Sequence, residues 1–309
     1  MRRLPTRSSW RSAPRSAGAR ITASATATRT SRSSATMPAT PQRSETASGT
    51  AYAVAGSGAP LVLIHGVGMR LEAWAPQIAA LSERFEVIAL DLPGHGESRP
   101  LPKGATLPDF VVRIATFLSE IDRGPVSVAG HSMGALIAGG LAAEVPGQVA
   151  RVALLNGVHR RDPAARQAVE ARAAEISTGG FDREAPLARW FGAAGEYDAA
   201  RVLCRQLLAE VDADGYATAY GAFATGDAVY ADRWRDVACP ALFLTAEGDL
   251  NSSPAMSRAM AAAAQNGRAR IIPGHRHMVN LTAPDQVNAA LIDWMGWTVS
   301  QRKEACHDA

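Results

Sequence analysis

Residues 126–143 read VSVAGHSMGALIAGGLAA and combine three patterns in a row. The apolar run 126–129 is typical of a strand that is buried on both faces. The pentapeptide Gly130-His131-Ser132-Met133-Gly134 follows it, and small apolar residues then continue over the length of a helix. This order predicts a sharp turn between strand and helix, with Ser132 at its tip and glycines where side chains would clash.

The hydroxyl of Ser132 is the first candidate for chemistry. At such a turn it would lie at the carboxyl edge of the sheet, in front of a helix N-terminus that favours negative charge. A serine acts as a nucleophile when a base takes its proton and an acid orients that base. The sequence therefore predicts a nucleophile at Ser132 and requires a histidine and a carboxylate elsewhere in the chain.

Further apolar runs of strand length lie on both sides of this segment, and helically spaced segments separate them. The runs occupy residues 61–64, 85–90, 149–155, 241–245 and 269–272. Strands that alternate with helices predict an α/β fold, with a mostly parallel sheet flanked by helices.

Residues 158–237 interrupt this alternation, because some eighty residues pass without a convincing buried strand. Asp162-Pro163 is typical of a helix start, and Gly179-Gly180 of a helix end. A long helical segment between two strands of an open sheet predicts an inserted helical cap over the site. The core is then expected in two parts, 45–157 and 238–300.

Both termini are predicted to be tails. Residues 1–44 hold nine arginines and no acidic residue, and they offer almost no large side chain for a core. Such a segment is expected to be disordered. It is interpreted as a transit peptide or as the product of a mis-assigned start, with Met37 as the true initiator. Residues 301–309 are expected to form a short C-terminal tail.

Composition limits the partners of the protein. Of 309 residues, those after the N-terminal tail include 23 basic and 29 acidic ones, which disfavours nucleic-acid binding. No apolar run is long enough to cross a membrane. The three cysteines show no CxxC spacing and indicate a reducing, cytoplasmic compartment. No metal-ligand or nucleotide-loop spacing occurs, so we expect a small-molecule substrate and no metal or cofactor.

Four segments occur in an order that is typical of one superfamily. They are His65-Gly66-Val67-Gly68, the loop 91–98 (DLPGHGES), the Gly-His-Ser-Met-Gly turn, and a late Asp followed by a His. In these segments the chain resembles the α/β-hydrolase superfamily, in its branch with a serine nucleophile, over residues 50–298. The resemblance implies the α/β-hydrolase fold.

The resemblance also implies the partners of Ser132. The acid falls on Asp249, after the strand 241–245, with Glu247 as the alternative. In the superfamily pattern, a proline before the final helix follows the catalytic histidine by seven residues. Pro284 stands seven residues after His277, so the resemblance places the base at His277, with His275 as the alternative.

The oxyanion of such a site is bound by backbone N–H groups. The resemblance places these donors at Val67, in the loop after the first buried strand, and at Met133, the residue after the nucleophile.

The expected activity is hydrolysis of a small carboxylic ester or lactone through an acyl-enzyme. Residues 214–217, with Ala222 and Asp227, are faintly similar to the cap of 3-oxoadipate enol-lactonases, and residues 277–282 are similar to aminoacrylate hydrolases. Hydrolysis of a carbon–carbon bond in ring-cleavage products remains an alternative, as does a non-catalytic binding protein of the same fold. Aromatic candidates for the pocket lining are Trp190, Phe191, Tyr197, Tyr216, Tyr220, Phe223 and Trp234.

Overall fold

Eight strands form one sheet in the order β1-β2-β4-β3-β5-β6-β7-β8. The structure, a computed structural model, describes residues 42–192 and 197–298. The strands are β1 Ser44–Glu45, β2 Ala51–Ala55, β3 Ala59–Ile64, β4 Phe85–Leu90, β5 Val126–His131, β6 Val149–Leu155, β7 Ala241–Ala246 and β8 Gly267–Ile272. The pairs β1–β2 and β2–β4 are antiparallel, and all other pairs are parallel. The expected mostly parallel sheet is confirmed.

The described ranges contain ten α-helices. They are α1 Ala75–Leu81, α2 Leu107–Ile121, α3 Met133–Glu144, α4 Pro163–Ser177, α5 Glu184–Phe191, α6 Asp198–Ala209, α7 Ala213–Gly226, α8 Pro254–Ala263, α9 Val279–Thr282 and α10 Pro284–Met295. Within the same ranges, no helix has both the length and the apolar character that a membrane span requires.

Both faces of the sheet are covered, which explains why the central strands have continuous apolar runs. In β3, Val62 and Ile64 pack into a core cluster that includes Phe110 of α2 and residues of α3. Leu61 and Leu63 point to the other face, into a cluster with Trp294 of α10. Alternate residues of one strand thus serve two cores, as the two-residue period of a strand requires.

Helices α4 to α7 lie between β6 and β7, and we call residues 158–237 the helical insertion. The Asp162 side chain accepts a hydrogen bond from the N–H of Ala165 and so begins α4, with Pro163 at the first helical position. Asp212 caps α7 in the same way, through the N–H of Gly215. Residues 193–196, between α5 and α6, fall outside the described ranges.

The sheet begins earlier than the sequence predicted. Ser44 pairs with Tyr52 across the β1–β2 edge. The guanidinium of Arg43 is 12% exposed, with Nε 2.9 Å from Oδ2 of the buried Asp91 and Nη2 2.8 Å from Glu72. A buried carboxylate needs such a partner, so Arg43 belongs to the body although its neighbours in sequence have a low-complexity composition. The remaining tail residues 1–41, and the predicted tail 301–309, lie outside the described residues.

Candidate active site

Ser132 lies at the tip of the turn between β5 and α3. Its backbone has φ 55° and ψ −115°, a conformation that residues other than glycine rarely adopt. A Cβ on Gly130 would collide with the carbonyl oxygen of Gly134, and a Cβ on Gly134 with the carbonyl oxygen of Ile64. The two glycines therefore allow the sharp turn that presents the serine hydroxyl.

Ser132, His277 and Asp249 form one hydrogen-bonded chain. Nε2 of His277 is 3.1 Å from Oγ of Ser132, and Nδ1 of His277 is 2.9 Å from Oδ2 of Asp249. All three residues are at most 9% exposed. The β5–α3 turn holds the serine, the loop after β7 holds the aspartate, and the loop after β8 holds the histidine. Because these strands are parallel, their carboxyl ends bring the three loops to one edge of the sheet.

The carboxylate of Asp249 is held by donors that the sequence analysis missed. Oδ2 accepts a 2.7 Å hydrogen bond from Nδ2 of Asn156, and Oδ1 a 2.8 Å bond from the N–H of Asn251. Burial acts to raise the pKa of Asp249, but the charge of His277 and these hydrogen bonds outweigh it, so its pKa lies below the usual value. Asn156 has φ 52° directly after β6, and an asparagine at a strand end is the only sequence signal for it.

The two alternative residues lie elsewhere. Glu247 is exposed, and its carboxylate faces the N–H of Gly274 at 3.4 Å. Nδ1 of His275 is 3.1 Å from the hydroxyl of Thr282. Of the two candidate pairs, the structure brings His277 and Asp249 to the serine.

The loop that follows β3 lies against the serine. A Cβ on Gly66 would come within 3.0 Å of Cβ of Ser132. Nε2 of His95 accepts a 2.9 Å hydrogen bond from the N–H of Gly68 and so fixes the end of this loop. Val67, between the two glycines, lines the same cavity as Ser132, and Met133 is the first residue of α3, whose N–H has no acceptor within the helix. Both residues predicted to supply the oxyanion donors thus adjoin Ser132.

Three further histidines are buried in this region and are held neutral. Burial lowers the pKa of His65 to about 4 and the pKa of His95 and His131 to about 3. Nε2 of His65 accepts the N–H of Leu92 at 2.9 Å. Nε2 of His131 is 2.8 Å from the carbonyl oxygen of His277. A neutral His131 can donate this bond and position the backbone of His277, a contact that the sequence analysis did not anticipate.

A cavity lies between Ser132 and the helical insertion. Four of the seven predicted aromatic residues line it, and Trp190 also stacks on the His277 ring with centroids 6.1 Å apart. Three arginines that the sequence analysis missed line it as well. The lining residues are Val67, Ser132, Arg161, Val169, Arg172, Pro186, Arg189, Trp190, Tyr216, Tyr220, Phe223, Asn251 and His277. No acidic residue of the described ranges is among them.

The fold and this arrangement define a class of protein. A model of the alpha/beta hydrolase family matches residues 61–290, and the chain belongs to that family. It is an α/β-type hydrolase, as the four sequence segments implied.

Two curated relatives and one solved structure are similar over most of their length. A protein of Acinetobacter baylyi described as (E)-2-((N-methylformamido)methylene)succinate hydrolase is 49% identical over 79% of this chain and 92% of its own. A putative carbamate hydrolase of Klebsiella pneumoniae is 30% identical over 76% and 91%. The enol-lactonase of Burkholderia xenovorans has a TM-score of 0.74 and 26% identity, and the match covers 82% of this chain and 99% of that one.

Proposed function

We propose that this protein is a serine hydrolase that cleaves an acyl bond through an acyl-enzyme. The hydrogen-bonded chain Ser132–His277–Asp249 is the observation that carries the proposal. Oγ of Ser132 attacks the carbonyl carbon while Nε2 of His277 takes its proton, and Asp249 holds the imidazole in the required orientation. His277 returns the proton to the leaving group, and water then releases the acid and the free serine by the reverse transfers.

The negative charge of the tetrahedral intermediate needs donors that are already in place. We assign this role to the N–H groups of Val67 and Met133, because the first belongs to the loop against Ser132 and the second begins α3. Removal of one such donor usually lowers kcat by about 10²–10³.

Charge in the cavity favours an anionic substrate. The pKa of Arg189 is lowered mainly by burial and further by the positive charge of Arg172. Two guanidinium groups that repel each other, in a cavity lined by no described acidic residue, favour a ligand that brings carboxylates. Arg172 is oriented by the hydroxyl of Tyr220, which lies 3.1 Å from its Nη1.

The relative from Acinetobacter suggests the scissile group. Its name describes a formamide joined through an alkene carbon to succinate, which carries two carboxylates. We therefore propose that this chain hydrolyses the acyl bond of an acylaminomethylene derivative of a small dicarboxylic acid. Hydrolysis of an enol-lactone is the second candidate, because of the similarity to the enol-lactonase.

Active-site labelling and a substrate panel test the proposal. A fluorophosphonate should label Ser132, and Ser132→Ala should abolish both labelling and turnover with little change in melting temperature. The panel contains an acylaminomethylene succinate, an enol-lactone, an aryl ester and a ring-cleavage dienoate, so it also tests the carbon–carbon alternative. Absence of labelling would favour a binding protein over an enzyme, whereas residual kcat above about one thousandth would contradict a serine nucleophile.

A further inference from the structure

Arg161 differs from the other two cavity arginines because its guanidinium is almost fully buried. Its side chain is 4% exposed, whereas Arg172 and Arg189 are half-buried. The guanidinium lies over the Phe223 ring, with Cζ 4.5 Å from the centroid. Nη1 lies 3.2 Å from Oδ1 of Asp227 and donates to the carbonyl oxygen of Ala224 at 3.2 Å. These contacts hold the group in one orientation.

One nitrogen of this fixed group lacks a partner. Among the described residues, Nη2 of Arg161 has no hydrogen-bond acceptor although it is buried. A buried donor without an acceptor destabilises the protein, and the cost is larger when the group is charged. An acceptor from a bound ligand in the cavity that Arg161 lines would remove this cost.

The charges around Arg161 do not cancel. Asp227 is fully buried and faces two cations, Arg161 at 3.2 Å and Arg166 at 3.1 Å. These three residues therefore carry a net charge of +1. Arg172 and Arg189 add further positive charge, which Asp182 offsets in part. A ligand with a single carboxylate would satisfy only part of this positive charge.

We infer that Arg161 is a specificity-determining residue, which binds one carboxylate of a dianionic substrate while Arg172 and Arg189 bind the other. The inference rests on the proposed function because it takes the cavity beside Ser132 as the substrate site. It goes further by assigning two anion subsites to different parts of the helical insertion. Arg161 lies before α4, whereas Arg172 lies within α4 and Arg189 within α5.

Binding of small acids to the full-length Ser132→Ala protein, in which no turnover occurs, tests this assignment. The probes are 2-methylenesuccinate and its two monoamides, each of which replaces one carboxylate by a neutral group. Calorimetry should show that the dianion binds at least about 10-fold more tightly than either monoamide, since a charge-assisted hydrogen bond contributes about 1.5–3 kcal/mol.

Adding Arg161→Met should weaken binding of the dianion and of one monoamide by about 10–100-fold. It should leave the other monoamide, which lacks the carboxylate that faces Arg161, nearly unchanged. Arg161→Lys keeps a cation beside Asp227 and protects the fold, and it should show the same selective pattern with smaller losses.

Arg166→Met is the matched control. It removes a cation from the same carboxylate of Asp227, but Arg166 does not line the cavity. It should lower the melting temperature without changing the ratio of the three affinities. Equal losses for all three probes on replacing Arg161, or the same pattern in both variants, would overturn the inference. Fluorophosphonate labelling of the wild-type protein does not depend on Arg161. It therefore distinguishes failure of the proposed function from failure of the role assigned to Arg161.

Discussion

The imidazole of His277 has both ring nitrogens engaged, one by Ser132 and the other by Asp249. His275 lies two residues away and shares its loop, but its Nδ1 faces the hydroxyl of Thr282. The two histidines therefore form a natural comparison, because a general disturbance of the loop would affect both.

We expect His277→Ala to lower kcat by about 10³-fold or more, because the serine loses its base. His275→Ala should change kcat by less than about 10-fold. Steady-state kinetics on the preferred substrate of the panel, with melting temperatures of both variants, measure this. The reverse order of effects would transfer the role of the base to His275 and leave Ser132 as the nucleophile.

At the scale of elements, two glycines in helices have opposite surroundings. Gly134, in α3, lies against the carbonyl oxygens of Ile64 and His65, whereas a Cβ on Gly221, in α7, would meet no atom within 4 Å. Replacement of glycine by alanine should therefore change the free energy of unfolding in opposite directions at the two positions.

Gly221→Ala should raise the free energy of unfolding by about 0.5–1 kcal/mol, because alanine loses less backbone entropy in a helix. Gly134→Ala should lower it by about 3 kcal/mol or more, because the start of α3 must move away from β3. Urea unfolding measures both values. A stable Gly134→Ala protein with unchanged kcat would show that the turn tolerates a side chain there.

Elements with a strong local signal could be predicted from the sequence. The runs that became β3 to β7 are apolar because both faces are buried, and the start of α4 follows from Asp162 and Pro163. The contacts of Asn156 and Arg161 could not be predicted. Each joins segments more than sixty residues apart, and both residues lie in the connection between β6 and α4, where no helical or strand periodicity indicates the direction of a side chain.

At the scale of the whole molecule, Arg43 connects the first strand to the loops around the site. Its cation is the partner of the buried Asp91, whose Oδ1 also accepts the N–H of Leu71 at 2.9 Å. A chain that starts at Met37 retains this contact. Such a truncation should therefore leave the melting temperature and kcat/KM unchanged.

Arg43→Ala should lower the free energy of unfolding by about 2–4 kcal/mol, because it leaves the Asp91 carboxylate buried without its cation. Arg99→Ala, which removes an exposed ion pair with Glu45, should cost less than about 1 kcal/mol. Urea unfolding compares the two variants. Equal losses would mean that Arg43 is an ordinary surface residue.

The protein should begin to lose stability at pH values above those at which carboxylates titrate. Burial holds the pKa of His65 at about 4 and that of His95 and His131 at about 3, below the value of 6.5 for an unfolded histidine. Between pH 6.5 and about 4 the unfolded chain therefore binds more protons than the folded one, and stability is lost as the pH falls.

Each of these histidines should lower the free energy of unfolding by up to about 1.4 kcal/mol per pH unit in this window. The three together should lower it by up to about 4 kcal/mol per pH unit. Urea unfolding at pH 7, 6 and 5 measures the slope. His95→Gln, which can still accept the N–H of Gly68, should reduce it by about one third. A free energy of unfolding that is constant from pH 7 to 5 would contradict the assignment of three buried neutral histidines.

The helical insertion carries all three guanidinium groups of the cavity, while the serine, the histidine and the aspartate come from the core on either side of it. Under the proposed function, the arginines assigned to substrate choice lie in one contiguous stretch of the chain, and the residues assigned to bond cleavage lie outside it. Exchange of the helical insertion between relatives, with junctions after β6 and before β7, should transfer the substrate preference. The loops that hold Ser132, His277 and Asp249 would remain unchanged. A chimaera with the insertion of an esterase should keep its fluorophosphonate-reactive serine and lose its discrimination for dianions.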